Sequence, residues 1–346
     1  MINRWVKRLW AEYNGEKIYI FSFKNKHNSY VEVLNYGAIV KSIVVPDKDN
    51  NLSNVVLNYP DFISYKQDPF FVGATIGRFA NRIGNASYTF DNQVVLLSKN
   101  DGPHQNHGGK KGFHDKIFDY YISGDTLVLS VSSPSGEGGY PGHVQFIVRY
   151  KWSKNDQLSI KYEATTTQIT PLNFTNHSYF NLSGTSACVW DHVLKINADK
   201  VLETSSDFIP TGEILPADLI YANSGKSLGE ILIKGHVPQG LNHYFIAQSS
   251  AEKSWKSSAI GTLLHPKSGR CLEVYTSYPG VQIYTGDYLD TKHDGLSIHK
   301  PFQGVCLECQ YYPDSPNHKN FPTTFIGPRE HYHQQIIYSF KLMKDC

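Results

Sequence analysis

Val144-Gln145-Phe146-Ile147-Val148-Arg149-Tyr150-Lys151-Trp152, followed shortly by Leu158-Ser159-Ile160-Lys161-Tyr162-Glu163-Ala164-Thr165, decides the fold class. In both runs bulky apolar residues occupy every second position, with mostly polar residues between them. That is the period of a strand with one buried face, not of a helix. β-Branched and aromatic residues supply the apolar set, as a pleated surface favours. The same period recurs at 18–23, 30–45, 126–131, 193–198, 271–275, 281–285, 304–310 and 335–342. Segments rich in Gly, Pro, Asn and Asp separate these runs, among them 46–51, 133–142 and 313–322. Only 60–67 and 224–232 read as short helices. Strands that succeed one another without long helices argue against βαβ units and predict an all-β fold, a large antiparallel β-sandwich with few short helices. No composition break, low-complexity tract or fixed-period repeat divides the chain. Residues 1–346 are therefore expected to form one domain, long but within the span of large β folds.

Composition narrows the function. Apolar residues make up 40% and charged residues 18%, enough for a core and too few charges for a disordered chain. Lys and Arg number 33 against 31 Asp and Glu, a formal net charge of +2, and no basic run occurs, so neither nucleic acid nor an anionic membrane is an expected partner. No window approaches the roughly 18 apolar residues of a spanning helix. The stretch after Trp10 carries Glu12 and Glu16 where a secretory signal would be apolar. Five cysteines without a framework of spacings predict reduced thiols and a cytoplasmic address.

Several familiar motifs fail on inspection. Gly225-Lys226-Ser227 has Ile220 where a phosphate loop needs glycine, and Gly136-Glu137-Gly138 runs into Pro141 where a dinucleotide fingerprint needs a small residue. Cys306-Leu307-Glu308-Cys309 has the spacing of a zinc half-site, but strand residues three apart face opposite sides, so two separate buried thiols are expected. His331 and His333 share a strand face and read as solvent-exposed. No metal or cofactor is expected.

Four segments concentrate hydrogen-bonding residues in apolar or glycine-rich surroundings. They are Gly77-Arg78-Phe79-Ala80-Asn81-Arg82-Ile83, running into His104-Gln105-Asn106-His107-Gly108-Gly109; Pro171-Leu172-Asn173-Phe174-Thr175-Asn176-His177-Ser178-Tyr179-Phe180-Asn181-Leu182; Pro279-Gly280-Val281-Gln282-Ile283-Tyr284-Thr285-Gly286; and Gly304-Val305-Cys306-Leu307-Glu308-Cys309-Gln310. In this order they resemble the aldose 1-epimerase, or galactose mutarotase, family over most of the chain. The resemblance implies a large antiparallel β-sandwich, in agreement with the strand reading. It also implies roles: Asn81 and Arg82 as donors to sugar hydroxyls, His107 near the ring oxygen, His177 as general acid, Gln282 as a sugar-contacting amide and Glu308 as general base. The family has an aspartate in an Asp-His-Asn-Phe stretch that here reads Asn242-His243-Tyr244-Phe245, so Asn242 takes the aspartate's place at the sugar and Tyr244 that of the asparagine. Tyr179, beside His177, is the expected aromatic platform.

The chemistry wants such a set. Opening a cyclic hemiacetal removes the proton of the anomeric hydroxyl and protonates the ring oxygen, so a base and an acid must flank C1 and O5. Taken singly, Glu308 also suits a buried ion pair, His177 a hydrogen-bonded structural role, His107 a turn, Arg82 a loop brace and Gln282 a solvent-facing strand position. Their joint occurrence in family order favours function. The expected protein is a monomer or homodimer acting on a monosaccharide. Two alternatives compete: a non-catalytic sugar-binding or regulatory protein, and a hexose-phosphate epimerase, which would need a cluster of basic residues beyond Arg78 and Arg82.

Overall fold

The computed structural model of the protein describes residues 4–220, 225–234, 240–248, 254–293 and 296–343. Three antiparallel sheets carry the fold. The largest has eight strands in the order Asp119–Ser123, Thr126–Ser133, Val144–Trp152, Gln157–Thr166, Tyr332–Leu342, Arg270–Thr276, Gly261–His265 and Val193–Ile196. A six-stranded sheet runs Tyr179–Phe180, Val305–Gln310, Gly280–Tyr284, Asn242–Ile246, Lys200–Thr204 and Pro210–Pro216. The N-terminal residues form a five-stranded meander, Trp5–Tyr13, Glu16–Lys24, Tyr30–Leu34, Val40–Pro46 and Leu52–Asn54. Among the described residues the α-helices are Phe62–Lys66 and Leu228–Lys234, both short.

The alternation in the opening stretch does what its period implies. Val144, Phe146, Val148, Tyr150 and Trp152 are all fully buried in the main apolar cluster, which extends from Trp5 to Phe340. Val281, Ile283, Val305, Leu307 and Cys309 of the six-stranded sheet join the same cluster. The Tyr338 hydroxyl of the large sheet donates to the Leu307 carbonyl at 3.3 Å. The even-numbered residues of those strands therefore face the other way.

Two expectations change. The run 30–45 is not one strand: it breaks at Gly37 and Ala38, whose φ of 60° and 45° turn the chain back on itself. Cys188, Cys306 and Cys309 are free thiols, but Cys271 is disulfide-bonded, so the expectation of five reduced cysteines does not hold. Cys306 and Cys309 do lie in different apolar clusters, on opposite faces of their strand. His331 and His333 are exposed.

Candidate active site

Strand register assembles the site. Across three neighbouring strands Glu308 pairs with Gln282, and Gln282 with Tyr244. One step along, Tyr179 pairs with Cys306, Cys306 with Tyr284, and Tyr284 with Asn242. Because side chains alternate, both rows share the face turned away from the core. Gly280 makes room for one member: a Cβ there would lie 2.5 Å from the Tyr244 ring, whose hydroxyl donates to the Gln310 carbonyl at 2.7 Å. The tyrosine at the position of the family's asparagine is thus buried beneath the site.

The remaining residues come from short bridging pairs. Arg82–Ile83 pairs with Gln105–Asn106, which brings the first motif's two halves together. The Asn81 amide donates to His107 Nδ1 and the His107 amide to the Asn81 carbonyl, both at 3.2 Å. Gly108 is required here, since a Cβ would stand 2.1 Å from the Gly77 carbonyl oxygen. His177 lies between Thr175–Asn176, paired with Thr75–Ile76, and Tyr179–Phe180, paired with Val305–Cys306.

All eight residues expected at the site, Asn81, Arg82, His107, His177, Tyr179, Asn242, Gln282 and Glu308, line one cleft of about 500 Å³. His177 Nε2 is 3.5 Å from Glu308 Oε1. The nearest polar atoms of His107, His177 and Glu308 all lie within 4.8 Å of one another. Glu308 is only 2% exposed, and its Oε2 is buried without a hydrogen-bond partner among the described residues. Burial pushes the Glu308 carboxyl up to about 8, with Arg82 pulling the other way. Burial likewise lowers His177 to about 4, and burial together with the neighbouring His177 lowers His107 well below the usual histidine value. Between those two values the pair holds one proton, which rests on Glu308; moved to His177, it leaves a carboxylate that is a strong base facing an imidazolium that is a strong acid.

Two histidines and a carboxylate also have the composition of a metal site. The Asn81 amide argues against it. An N–H donating to Nδ1 puts the proton of neutral His107 on Nε2, which then offers a donor to the cleft and no lone pair.

The polar partners define what each residue offers. Gln282 Nε2 donates to Asn242 Oδ1 at 2.8 Å, joining the two amides side by side. Arg82 Nε donates to Asp101 at 2.8 Å, and its guanidinium lies over Phe208 at 5.3 Å. Arg78 is not in the cleft; it donates to Ser133 Oγ and to the carbonyls of Ser133, Pro134 and Pro141. Tyr179 is less a platform than a brace, 1% exposed, its ring 5.0 Å from His177 and its hydroxyl donating to the Phe70 carbonyl at 3.0 Å.

Phe71 went unread in the sequence. Its ring centroid lies 4.7 Å from both His107 and His114 and 5.9 Å from His177, and it lines the cleft. The half-buried Asp68 carboxylate holds this turn by accepting from Tyr59 Oη, Phe70 N and Val72 N at 2.6 to 2.8 Å. Nothing in Asp68-Pro69-Phe70-Phe71 distinguishes a site wall from an ordinary turn. Phe71, Asn81, His107 and Phe208 all have left-handed φ, between 52° and 67°. Such conformations cost on the order of 1 kcal/mol or more each and gather at functional sites.

The chain matches the aldose 1-epimerase family over residues 19–339. It is 35% identical to galactose mutarotase of Sus scrofa over 317 residues, covering 90% of this chain and 91% of that protein. It is 31% identical to aldose 1-epimerase of Escherichia coli (strain K12) over 336 residues, covering 94% and 96%. Among solved structures, the GalM/aldose epimerase homologue from C. elegans matches with a TM-score of 0.86 at 28% identity, over 97% of this chain and 99% of that one. Galactose 1-epimerase from Lactobacillus acidophilus NCFM matches with a TM-score of 0.82 at 22% identity, over 99% of each chain.

Proposed function

The chain belongs to the aldose 1-epimerase family, and on that premise we infer that it interconverts the α and β anomers of free hexoses such as galactose and glucose. The observation that carries the reading is the meeting of buried Glu308 and His177 at 3.5 Å in the cleft, with one carboxylate oxygen unpartnered among the described residues. A pyranose whose C1–O5 edge lies against the pair gives each a task. Glu308 takes the proton of the anomeric hydroxyl while His177 Nε2 gives one to the ring oxygen. The C1–O5 bond breaks with its electron pair on O5, and C1=O1 forms. Rotation about C1–C2 turns the other aldehyde face to the ring hydroxyl. Reclosure returns both protons, Glu308 now acting as acid and His177 as base. The pair carries one exchangeable proton throughout, so the chemistry balances without a cofactor.

The other residues hold the sugar. His107 offers Nε2–H towards the ring oxygen, and Asn81, Arg82, Asn242 and Gln282 supply hydrogen bonds to hydroxyls, with Tyr179 bracing the wall. With Arg78 committed to main-chain carbonyls, Arg82 is the one Arg or Lys lining the cleft among the described residues, and with its Nε held by Asp101 the cleft favours a free sugar over a sugar phosphate. The reading includes a monomer or homodimer; with Cys271 disulfide-bonded, a cytoplasmic setting no longer rests on reduced thiols. Among the described residues no helix is long and apolar enough to cross a membrane.

Polarimetry of freshly dissolved α-galactose tests the proposal. Catalysed mutarotation is expected with the protein, and loss of about 10² to 10⁴ in rate with Glu308→Gln or His177→Asn. Sugar binding without rate enhancement would overturn it in favour of a binding protein.

A further inference from the structure

Two imidazoles face the same cleft, yet the proposed reaction asks only one of them to carry a proton. Their Nδ1 atoms meet different partners. His107 Nδ1 receives the Asn81 main-chain N–H at 3.2 Å. His177 Nδ1 lies 3.6 Å from the sulfur of Cys306. An amide N–H can only donate, whereas a thiol can donate through S–H or accept at sulfur.

Resting on the anomer-interconverting reading above, we propose that these partners divide the labour: the Asn81 amide locks His107 as a neutral Nε2–H donor, and Cys306 is a positioning residue that lets His177 keep a proton on Nδ1 while Nε2 gains and loses one. With Nδ1–H directed at sulfur, Nε2 of His177 is protonated in the imidazolium and bears a lone pair after delivery to O5. Those are the two states ring opening and closure require. His107 reaches neither without breaking its bond to Asn81, because a second proton would have to sit on Nδ1 against the amide hydrogen. The surroundings follow the same division. The main-chain carbonyl of His177 favours its charged form, while every influence on His107 disfavours charge.

Cys306 suits the part. It is fully buried, its thiol is pushed well up by burial and Glu308 and so stays protonated, and it shares the cleft-facing row with Tyr179 and Tyr284. The other titratable groups around the two imidazoles are Glu308, Arg82, Tyr179 and, behind Phe71, His114 next to the Lys66–Asp115 pair. None is shared by the two Nδ1 atoms in the way their direct partners differ.

The test combines ¹⁵N NMR of labelled histidines with pH–rate profiles of the full-length protein. Expected are an Nε2–H tautomer for His107 that does not titrate between about pH 5 and about pH 8, a window that spans the usual histidine range, and protonation at Nδ1 of His177. Cys306→Ala should lower kcat roughly tenfold with little change in KM and displace the acid limb of the profile; Cys306→Ser, whose hydroxyl also donates and accepts, should restore most of the rate. A proton on Nδ1 of His107, or a Cys306→Ala protein with wild-type kcat, pH profile and His177 shifts, would overturn the assignment. Should Cys306→Ala not fold, the wild-type tautomers and Cys306→Ser still decide. Loss of the reaction in Glu308→Gln with the wrong tautomers would sink this inference alone, whereas an active Glu308→Gln protein would sink the reading beneath it.

Discussion

The strand Val305–Gln310 has two faces that obey opposite rules. Val305, Leu307 and Cys309 point into the apolar cluster between the sheets and are at most 1% exposed. Each large aliphatic side chain so placed contributes about 1.5 to 3 kcal/mol. One residue away in each case, Cys306 and Glu308 take the opposite face, Cys306 in the second apolar cluster and Glu308 at the cleft, equally buried, where a carboxyl oxygen without a partner among the described residues costs stability instead of adding it. Burial by itself therefore does not separate structural from working residues. The kind of atom buried, and whether it has a partner, does.

Four outcomes would break or sharpen that contrast. The largest is in rate: Glu308→Gln should lose about 10² to 10⁴ of kcat while its folded state becomes more stable at alkaline pH. The sign follows from the carboxyl being raised from 4.5 to about 8 by folding. Its contribution to stability is intact below about 4.5 and is lost as pH rises through 8. The melting temperature of Glu308→Gln should thus equal wild type below about pH 4.5 and exceed it by a few degrees above pH 8; a variant less stable than wild type at pH 9 would refute the cost assigned to this face.

Leu307→Ala should do the reverse. Denaturant titration should show a loss of about 2 to 5 kcal/mol, while kcat per folded molecule stays far closer to wild type than in Glu308→Gln. A collapse in kcat would mean the two faces are not separable. The third outcome is a pH profile. The pair holds its one proton between about 4, where His177 takes up a second, and about 8, where Glu308 releases the last. Mutarotation should form a plateau between those limits, and a rate that keeps rising above pH 9 would contradict the assignment. The smallest effect belongs to Asn242→Asp. A carboxylate accepts from two sugar hydroxyls where the amide must also donate, so KM for galactose should fall severalfold with kcat nearly unchanged; titration across several aldoses measures it.

Much of this was legible beforehand, unevenly. Val144–Trp152 was read to the residue because a half-buried strand writes its period into the chain. Trp5–Tyr13 and Pro210–Pro216 were missed, since both are largely exposed edge strands whose sequence lacks a buried face. The run 30–45 was read through its turn because Gly37 and Ala38 interrupt the pattern only briefly. At the site, all eight expected residues line one cleft because motif order carried them, although their separation along the chain says nothing of distance. Phe71 and Asp68 escaped because their significance is purely spatial, a ring held against three imidazoles by a turn of ordinary composition. The partner of each histidine's Nδ1 was equally invisible: one is a main-chain atom with no letter in the sequence, and the other a cysteine that reads as inert filler.

The paired rows Glu308–Gln282–Tyr244 and Cys306–Tyr284–Asn242 exist only while three neighbouring strands keep their alignment. Deleting a single residue from the middle of Val305–Gln310 would exchange the strand's two sides, presenting leucine to the sugar and a carboxylate to the hydrocarbon interior. On these three strands, redesign of sugar preference is therefore confined to alternate positions. A change in length anywhere between would fail before its chemistry was ever expressed.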